Sequence, residues 1–324
     1  MTLTAPPRPP LAPLPAPAGR ARRGKTFGGS TAAGRTLFSD AELSRGRSRV
    51  VYWVVLAFVM LLFLAVFIFP LYWMFSSALK TPQEYAQNPP TIIPYSFEPE
   101  NYAIAWDQMR IAKFFFNTAY YAFGGWLIQI VVAVAVAYAL SKLRPIFGKI
   151  VLGAMLASLM LPATALLIPA YLTVVDVPIF HVNLLNTPWA LWLPAAASAF
   201  NIYVLKRFFD QIPNDLLDSA ALDGAGRFRV LWSIVLPLSR PVLGVVSIFS
   251  IVAIWKDFVW PLLVLQDPEK QTLSVALARL ANTSQVPPTQ LMAGLAIASV
   301  PMVIVFLIFQ RSIIGGLSAG SMKG

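Results

Sequence analysis

Four stretches of this chain run for 26 to 31 residues without a charged side chain: residues 50–79, 114–141, 150–175 and 280–310. A helix needs about 20 consecutive apolar residues to cross the hydrocarbon of a bilayer, so each of these is long enough to span it. A fifth run, 177–205, is interrupted only by His181, and its apolar part, 189–205, is slightly short but sufficient. The sixth is less regular. Residues 241–255 are uncharged, Lys256 and Asp257 follow, and 258–266 are apolar again. The first part alone would leave backbone groups unsatisfied in lipid, so 241–266 reads as one span carrying an internal polar pair. The expectation is an all-α integral membrane protein with six transmembrane helices over residues 50–324.

Composition agrees. With 57% hydrophobic and 12% charged residues and a mean hydropathy of +0.67, the chain has more apolar surface than a soluble fold of 324 residues could bury. Six spans place both termini on one side, and the basic residues choose the side. Nineteen of the 25 Lys and Arg fall before Val50, in the 142–149 and 206–240 loops and at the C-terminus, whereas five fall in the opposite loops and Lys256 lies within a span. The positive-inside rule then puts both termini and the 206–240 loop in the cytoplasm. The net charge of +11 is therefore a topological signal, suited to anionic membrane lipid rather than to nucleic acid. The absence of cysteine excludes disulfides and thiolate chemistry. The first apolar run begins after about fifty residues and is too long for a signal-peptide core, so it is expected to stay as an anchor.

Residues 1–49 are Pro/Ala-rich and then basic, a composition that builds no core and is expected to be disordered. Within them "GRARRGKT", residues 19–26, matches the phosphate-binding pattern G-x-x-x-x-G-K-[ST]. That pattern works only when a strand delivers the loop and a helix follows it; here a proline run precedes and "FGGSTAAG" follows. The segment reads as a charged tail that enforces orientation, and any ATP is used by a partner.

The most informative loop is "IPNDLLDSAALDGAGRFRVLWSIVLPLSRP", residues 212–241. Its first half predicts a helix over 214–222, with Asn214 as N-cap, Asp215 and Asp218 in the early turns, and Leu216, Leu217, Ala220 and Ala221 on one face. Asp223-Gly224 predicts a turn. A second helix from Ala225 gathers Ala225, Phe228, Leu231, Trp232 and Val235, with Arg227 and Arg229 elsewhere, before Pro237 and Pro241 separate it from the next span. The loop alone cannot bury this apolar face. Amphipathicity leaves open whether the face lies on headgroups, packs under its own bundle or meets a partner.

Spacing narrows the choice. "DSAALDGA", with the Pro of "LP" (236–237) twelve residues after Ala225, resembles the cytoplasmic loop signature of ABC importer permeases, E-A-A-x-x-x-G-x(9)-I-x-L-P, with Asp218 for the usual Glu and Ser219 for the first Ala. "NTAYYA" (117–122), "AYALSK" (137–142), "LPATALLIPAYL" (161–172), "LLNT" (184–187), "FNIYVLKRFFDQIP" (200–213), "IWKDFVWPL" (254–262) and the terminal "GGLSAGSMKG" are similar, in order, to the carbohydrate-uptake branch, the permeases like the second membrane subunit of the maltose system. The resemblance implies a type I ABC importer permease in a bacterial or archaeal plasma membrane. It also implies a second permease subunit, homologous or identical, a two-copy cytoplasmic ATPase that holds ATP and Mg, and an extracytoplasmic substrate-binding protein. This chain would bind no cofactor or metal itself. Asp218, Ala220, Ala221, Asp223, Gly224, Ala225 and Phe228 would form the coupling contacts with the ATPase.

Substrate-path candidates are the polar and aromatic residues expected within the spans: Asn117, Gln129, Tyr138, Trp255, Lys256, Asp257 and Trp260. Each has an alternative role, because Trp and Tyr also anchor helices at membrane interfaces. Where the family commonly has Asn, this chain has Lys256, whose charge would meet either an anionic substrate group or an acid of a partner subunit. The competing class is an ion-coupled secondary transporter, which normally carries acids or histidines inside its spans; Asp257 is the only such acid here.

Overall fold

The computed structural model describes residues 46–282 and 286–321. The tail with its 19–26 phosphate-loop match lies outside them, as do residues 322–324. The chain divides into two compact units, residues 1–64 and 65–324. In the first, the described part is the opening half of helix α1 (Gly46–Ala78), whose Trp53, Phe58, Met60 and Leu61 are exposed on successive faces. A helix apolar all round is built for lipid or for other spans.

The second unit continues with short helices α2 (Pro82–Tyr85) and α3 (Glu100–Gln108), then α4 (Ile111–Leu143), α5 (Gly148–Ser158) and α6 (Ala163–Val175). Helices α7 (Trp189–Ala196), α8 (Ala199–Asp210), α9 (Asn214–Leu222), α10 (Arg227–Leu238) and α11 (Arg240–Lys256) follow. The unit ends with α12 (Val259–Val264), α13 (Leu273–Ala281) and α14 (Pro288–Ser321). No strand occurs among the described residues.

Three of the helices, α1, α4 and α14, are long and apolar enough to cross a membrane unbroken. Two bent pairs raise the number to five at most, if each is one span: α5 with α6, meeting at 110°, and α10 with α11, meeting at 81°. The α5–α6 bend falls where Pro162 takes an extended conformation, and the second where Pro241 opens α11 after Ser239. The expected fifth span, 189–205, is divided into α7 and α8 at Ala197, with Ser198 capping α8 through the amide of Asn201.

The expected continuous span over 241–266 requires a correction. Helix α11 stops at Lys256; Asp257 is extended, and α12 restarts only at Val259. The polar pair sits at a break, not inside a helix, because Asp257 turns its carboxylate to the backbone amides of Trp260 and Phe258.

Helix α4 is the central post. Ala133 and Ala137 are fully buried on it, and these small side chains let α8, α10 and α11 approach closely through Ile202, Leu205, Phe209, Val235 and Val246. Nearer its other end, Gly124 lies under the ring of Trp192 from α7, so close that an added Cβ would stand 2.3 Å from that ring. Between these contacts runs a polar seam. Gln129 donates to the carbonyl of Ala195, which the α7–α8 break leaves free, and Asn201 donates to Gln129 Oε1 at 3.3 Å and to Ser250 Oγ at 3.0 Å. In an apolar bundle such bonds satisfy backbone that a broken helix exposes.

Candidate functional site

The loop singled out by sequence folds as a helical hairpin closed by a Schellman turn. Gly224 adopts φ +76°, Ala225 N–H donates to Ala220 O at 2.9 Å, and Gly224 N–H donates to Ala221 O at 3.0 Å. Left-handed backbone at this position strongly favours glycine. Two details differ from expectation. Helix α9 begins at Asn214 itself, with Pro213 ahead of it and no side-chain cap, and Asn214 Oδ1 instead accepts from Lys142. Helix α10 begins at Arg227 after an extended Gly226, not at Ala225.

The apolar face of α10 is also divided. Leu231 and Val235, with Val230, are buried against α4 and α8, so part of the face packs under its own bundle. Phe228 and Trp232 point away and stay 76% and 65% exposed, joined by Leu222 at 90%. At about 100° per residue Phe228 and Trp232 lie on one edge of the apolar face and Leu231 and Val235 on the other, so the bundle covers only one edge; a π-turn over Leu231–Val235, in which Leu236 N–H reaches back to Leu231 O, follows. An i→i+5 turn contains one residue more than the α-helical one and rotates everything after it.

Of the seven expected coupling residues, Asp218, Ala221, Asp223, Gly224 and Phe228 are exposed, while Ala220 and Ala225 are half-buried and pack against the core with Leu217. The hairpin thus turns one side to the bundle and the other outward.

The end of α4 holds both feet of the hairpin. Its last turn, Ala139–Leu143, is also a π-turn. Tyr138 Oη donates to Arg227 O at 3.0 Å, at the start of α10, and Lys142 Nζ donates to Ile212 O at 2.8 Å, just before α9. Ser141 Oγ donates to Asp210 Oδ1 at 2.7 Å, and Lys206 pairs with Asp210 Oδ2 at 2.8 Å. Burial pushes the Asp210 carboxyl up, but the hydrogen bonds from Lys206 and Ser141 and the charges of Lys206 and Arg207 outweigh it and hold the group below its usual range. Nothing in "AYALSK" (137–142) or "KRFFDQIP" (206–213) by itself shows that the two stretches meet. The only signal was a Ser-Lys pair ending one apolar run and an i,i+4 Lys-Asp pair ending another.

The path candidates do not assemble into one site. Asn117 and Tyr138 stand 21 residues apart on α4, about 32 Å at 1.5 Å per residue. Asn117 donates to the carbonyls of Glu269 and Gln271, both at 3.0 Å, tying down the 265–272 connection at the end opposite the hairpin. Glu269 also pairs there with Arg110 and Lys113. Gln129 serves the buried seam, Tyr138 the clamp, and Trp260 Nε1 donates to Ala190 O at 2.9 Å. Trp255 lies edge-on to Phe115, with ring centres 5.5 Å apart. Trp255 and exposed Lys256 line a largely apolar groove of ≈ 420 Å³ with Phe258, Leu277, Leu295 and Met302. Lys256 has no ion pair among the described residues.

At the end bearing Asn117, Glu84 organises the 79–98 segment. Only 3% exposed, its carboxylate accepts from Thr91 Oγ1, the amides of Tyr95 and Ser96, and Ser96 Oγ. Burial raises its pKa, but these donors outweigh the burial and hold it at about 2.

Comparison with known proteins agrees with this architecture. Residues 129–318 match the family described as binding-protein-dependent transport system inner membrane component. The chain is 28% identical to the diacetylchitobiose uptake system permease protein NgcG of Streptomyces coelicolor, over 82% of this chain and 87% of that one. It is 31% identical to the probable ABC transporter permease protein YurM of Bacillus subtilis, over 81% and 86%. It is 30% identical to the sn-glycerol-3-phosphate transport system permease protein UgpE of Yersinia pestis, over 77% and 90%. A chain from the crystal structure of a bacterial ABC transporter involved in the import of the acidic polysaccharide alginate shares the fold, with a TM-score of 0.72 at 21% identity over 85% of this chain and 99% of that chain.

Proposed function

The chain belongs to the family of binding-protein-dependent transport system inner membrane components, and from that footing we propose how its hairpin works and what passes beside it. It is a multi-pass permease subunit of an ABC importer, with the type I permease fold, and in this family ATP is hydrolysed by a partner ATPase. Our reading is that it forms half of the translocation path beside a second, related permease. Two copies of a cytoplasmic ATPase bind ATP and Mg below, and an extracytoplasmic protein delivers substrate. The bias of basic residues supports placing both termini and the hairpin in the cytoplasm.

The observation that carries the coupling role is the outward cap of Leu222, Phe228 and Trp232 around the Gly224 turn, on a hairpin whose two feet are bonded to α4. An exposed apolar cap beside Asp218 and Asp223 suits a groove on another protein. The bonds from Tyr138 and Lys142 mean that a push on the hairpin is delivered to α4 with little slack, and α4 contacts α7, α8 and α11. Transmission of motion requires such a rigid element between two arrangements.

The proposed cargo is a sugar or polyol derivative. Support comes from the relatives, whose names specify diacetylchitobiose and sn-glycerol-3-phosphate. Trp255 and Lys256 are the path residues we retain, because they line a groove, and the Lys256 ammonium is assigned to an acid of the companion permease. The other five candidates of that set we assign to holding the bundle together.

The test is affinity purification of the detergent-solubilised protein from its native membrane, as wild type and as Gly224→Asp. The reading requires an ATPase and a second permease to copurify with the wild type, and the ATPase to be lost from the variant while the permease remains. Recovery of the same ATPase with both proteins would remove the hairpin from the coupling role.

A further inference from the structure

Beneath the hairpin, between α9–α10 and the last turn of α4, lies a cleft of ≈ 370 Å³, which Asp218, Ala221 and Ala225 of the hairpin line on one side and in which Arg144 has no part in the coupling role. Three cations line it, Lys142, Arg144 and Arg227, against one carboxylate, Asp218. Its net charge is therefore +2. None of the three cations forms an ion pair among the described residues. Lys142 is held by two neutral oxygens, Ile212 O and Asn214 Oδ1, and Arg144 Nε donates to Ser141 O at 3.3 Å. Lys142 also feels the charge of Asp210 behind the lining, so the uncompensated positive charge rests on the two arginines. The terminal nitrogens of Arg144 carry no bond among the described contacts. Uncompensated guanidinium groups lining one cleft suit an anion with several oxygens, which a planar fork binds through paired hydrogen bonds.

The surroundings specify which anion. After Pro145, Arg144 is followed by Ile146 and Phe147, 93% and 69% exposed, with exposed Leu143 just before it. A free solute needs no apolar border. A molecule with a phosphate head and hydrocarbon tails does, and basic pockets at the cytoplasmic ends of spans are where anionic headgroups bind.

We propose that this cleft is a binding site for the phosphate headgroup of an anionic phospholipid. The headgroup would bridge Arg144, at the end of α4, and Arg227, at the start of α10, reinforcing the joint that Tyr138 and Lys142 already make. Lipid composition would thereby set how stiffly the hairpin is attached.

The test counts lipids directly and so stands or falls separately from the transport reading. The transporter complex is purified in detergent, mixed with phosphatidylglycerol or phosphatidylcholine, and examined by native mass spectrometry as wild type, Arg144→Gln/Arg227→Gln, Arg144→Lys/Arg227→Lys and Arg229→Gln. Arg229 does not line the cleft. Each basic side chain near a membrane surface contributes about five-fold in affinity, so the double Gln variant should bind phosphatidylglycerol about thirty-fold more weakly. The Lys pair and Arg229→Gln should retain it, and phosphatidylcholine should not saturate any of them. The Lys pair also separates loss of charge from misfolding. Equal retention by the double Gln variant would overturn the proposal. So would displacement of the lipid by inorganic phosphate at equal concentration, which would make the ligand a free anion, or binding seen only after the ATPase is removed, which would give the cleft to that interface.

Discussion

Replacing Gly224 isolates backbone strain from steric clash, because nothing lies within 4 Å of where its Cβ would stand while its φ is +76°. Alanine there fits in space and is disfavoured only by conformation, at about 1–2 kcal/mol for an L-residue in the left-handed region. Asparagine tolerates that region better and should cost less. If the strain opens the Schellman turn, the bonds from Ala225 to Ala220 and from Gly224 to Ala221 are lost, and α10 no longer starts where Tyr138 holds it. Docking should then weaken by the same energy, about five- to thirty-fold for Ala. The assay is binding of the purified ATPase to the permease pair in nanodiscs, with substrate-stimulated ATP hydrolysis measured in parallel. The expected order is Gly, then Asn, then Ala, with thermal stability of the spans unchanged. Wild-type affinity for Ala, or Asn binding more weakly than Ala, would refute the strain argument.

Other perturbations separate the clamp, the packing and the outer loop. Tyr138→Phe removes one hydrogen bond to Arg227 O, about 1 kcal/mol, and should lower substrate uptake per ATP more than it lowers ATP hydrolysis; equal losses in both would mean the bond is only structural. Gly124→Ala forces a methyl against Trp192, whose ring is fixed by a bond to Tyr121 O and an edge contact with Trp189; a loss of about 1–3 kcal/mol is expected, seen as a lower Tm in detergent. Asn201→Leu leaves buried Gln129 Oε1 without its donor and should cost about 1–3 kcal/mol, checked by the same melt. Because the Glu84 carboxyl is held at about 2 against an ordinary 4.5, its contribution to stability is complete above pH 4.5 and is lost as pH falls toward 2. Wild type should therefore lose thermal stability on acidification more steeply than Glu84→Gln, and parallel curves would contradict the assignment.

The long apolar runs and the Asp-Gly turn were legible in sequence because each follows a local rule, uninterrupted hydropathy in one case and glycine's tolerance of positive φ in the other. The break at Ala197–Ser198 was not, since "AAASAF" carries no strong breaker after Pro194, and what makes the break tolerable is a distant amide, Gln129, reaching Ala195 O. Gln129 and Tyr138 attracted attention as polar groups within a span, yet no periodicity reveals that their partners are carbonyls on other helices. The face of α10 was left open by sequence for a different reason: amphipathicity shows an apolar face, not which edge of it the bundle covers, and here Leu231 and Val235 are buried while Phe228 and Trp232 are exposed. The clamp at Ser141, Lys142 and Asp210 joins residues about seventy positions apart, so the local Ser-Lys and Lys-Asp pairs do not reveal that they meet.

The most direct test of the coupling role uses the chain's lack of cysteine, since any cysteine introduced is then the only one. Leu222→Cys and Tyr95→Cys both place a thiol at a highly exposed position, the first on the hairpin and the second in the 79–98 segment at the other end. After treatment of native membranes with a short thiol-to-amine cross-linker, Leu222→Cys should yield an adduct with the ATPase subunit, identified by mass spectrometry, and Tyr95→Cys should not. An ATPase adduct from Tyr95→Cys alone, or none from Leu222→Cys in membranes that still contain the assembled transporter, would contradict the role assigned to the hairpin.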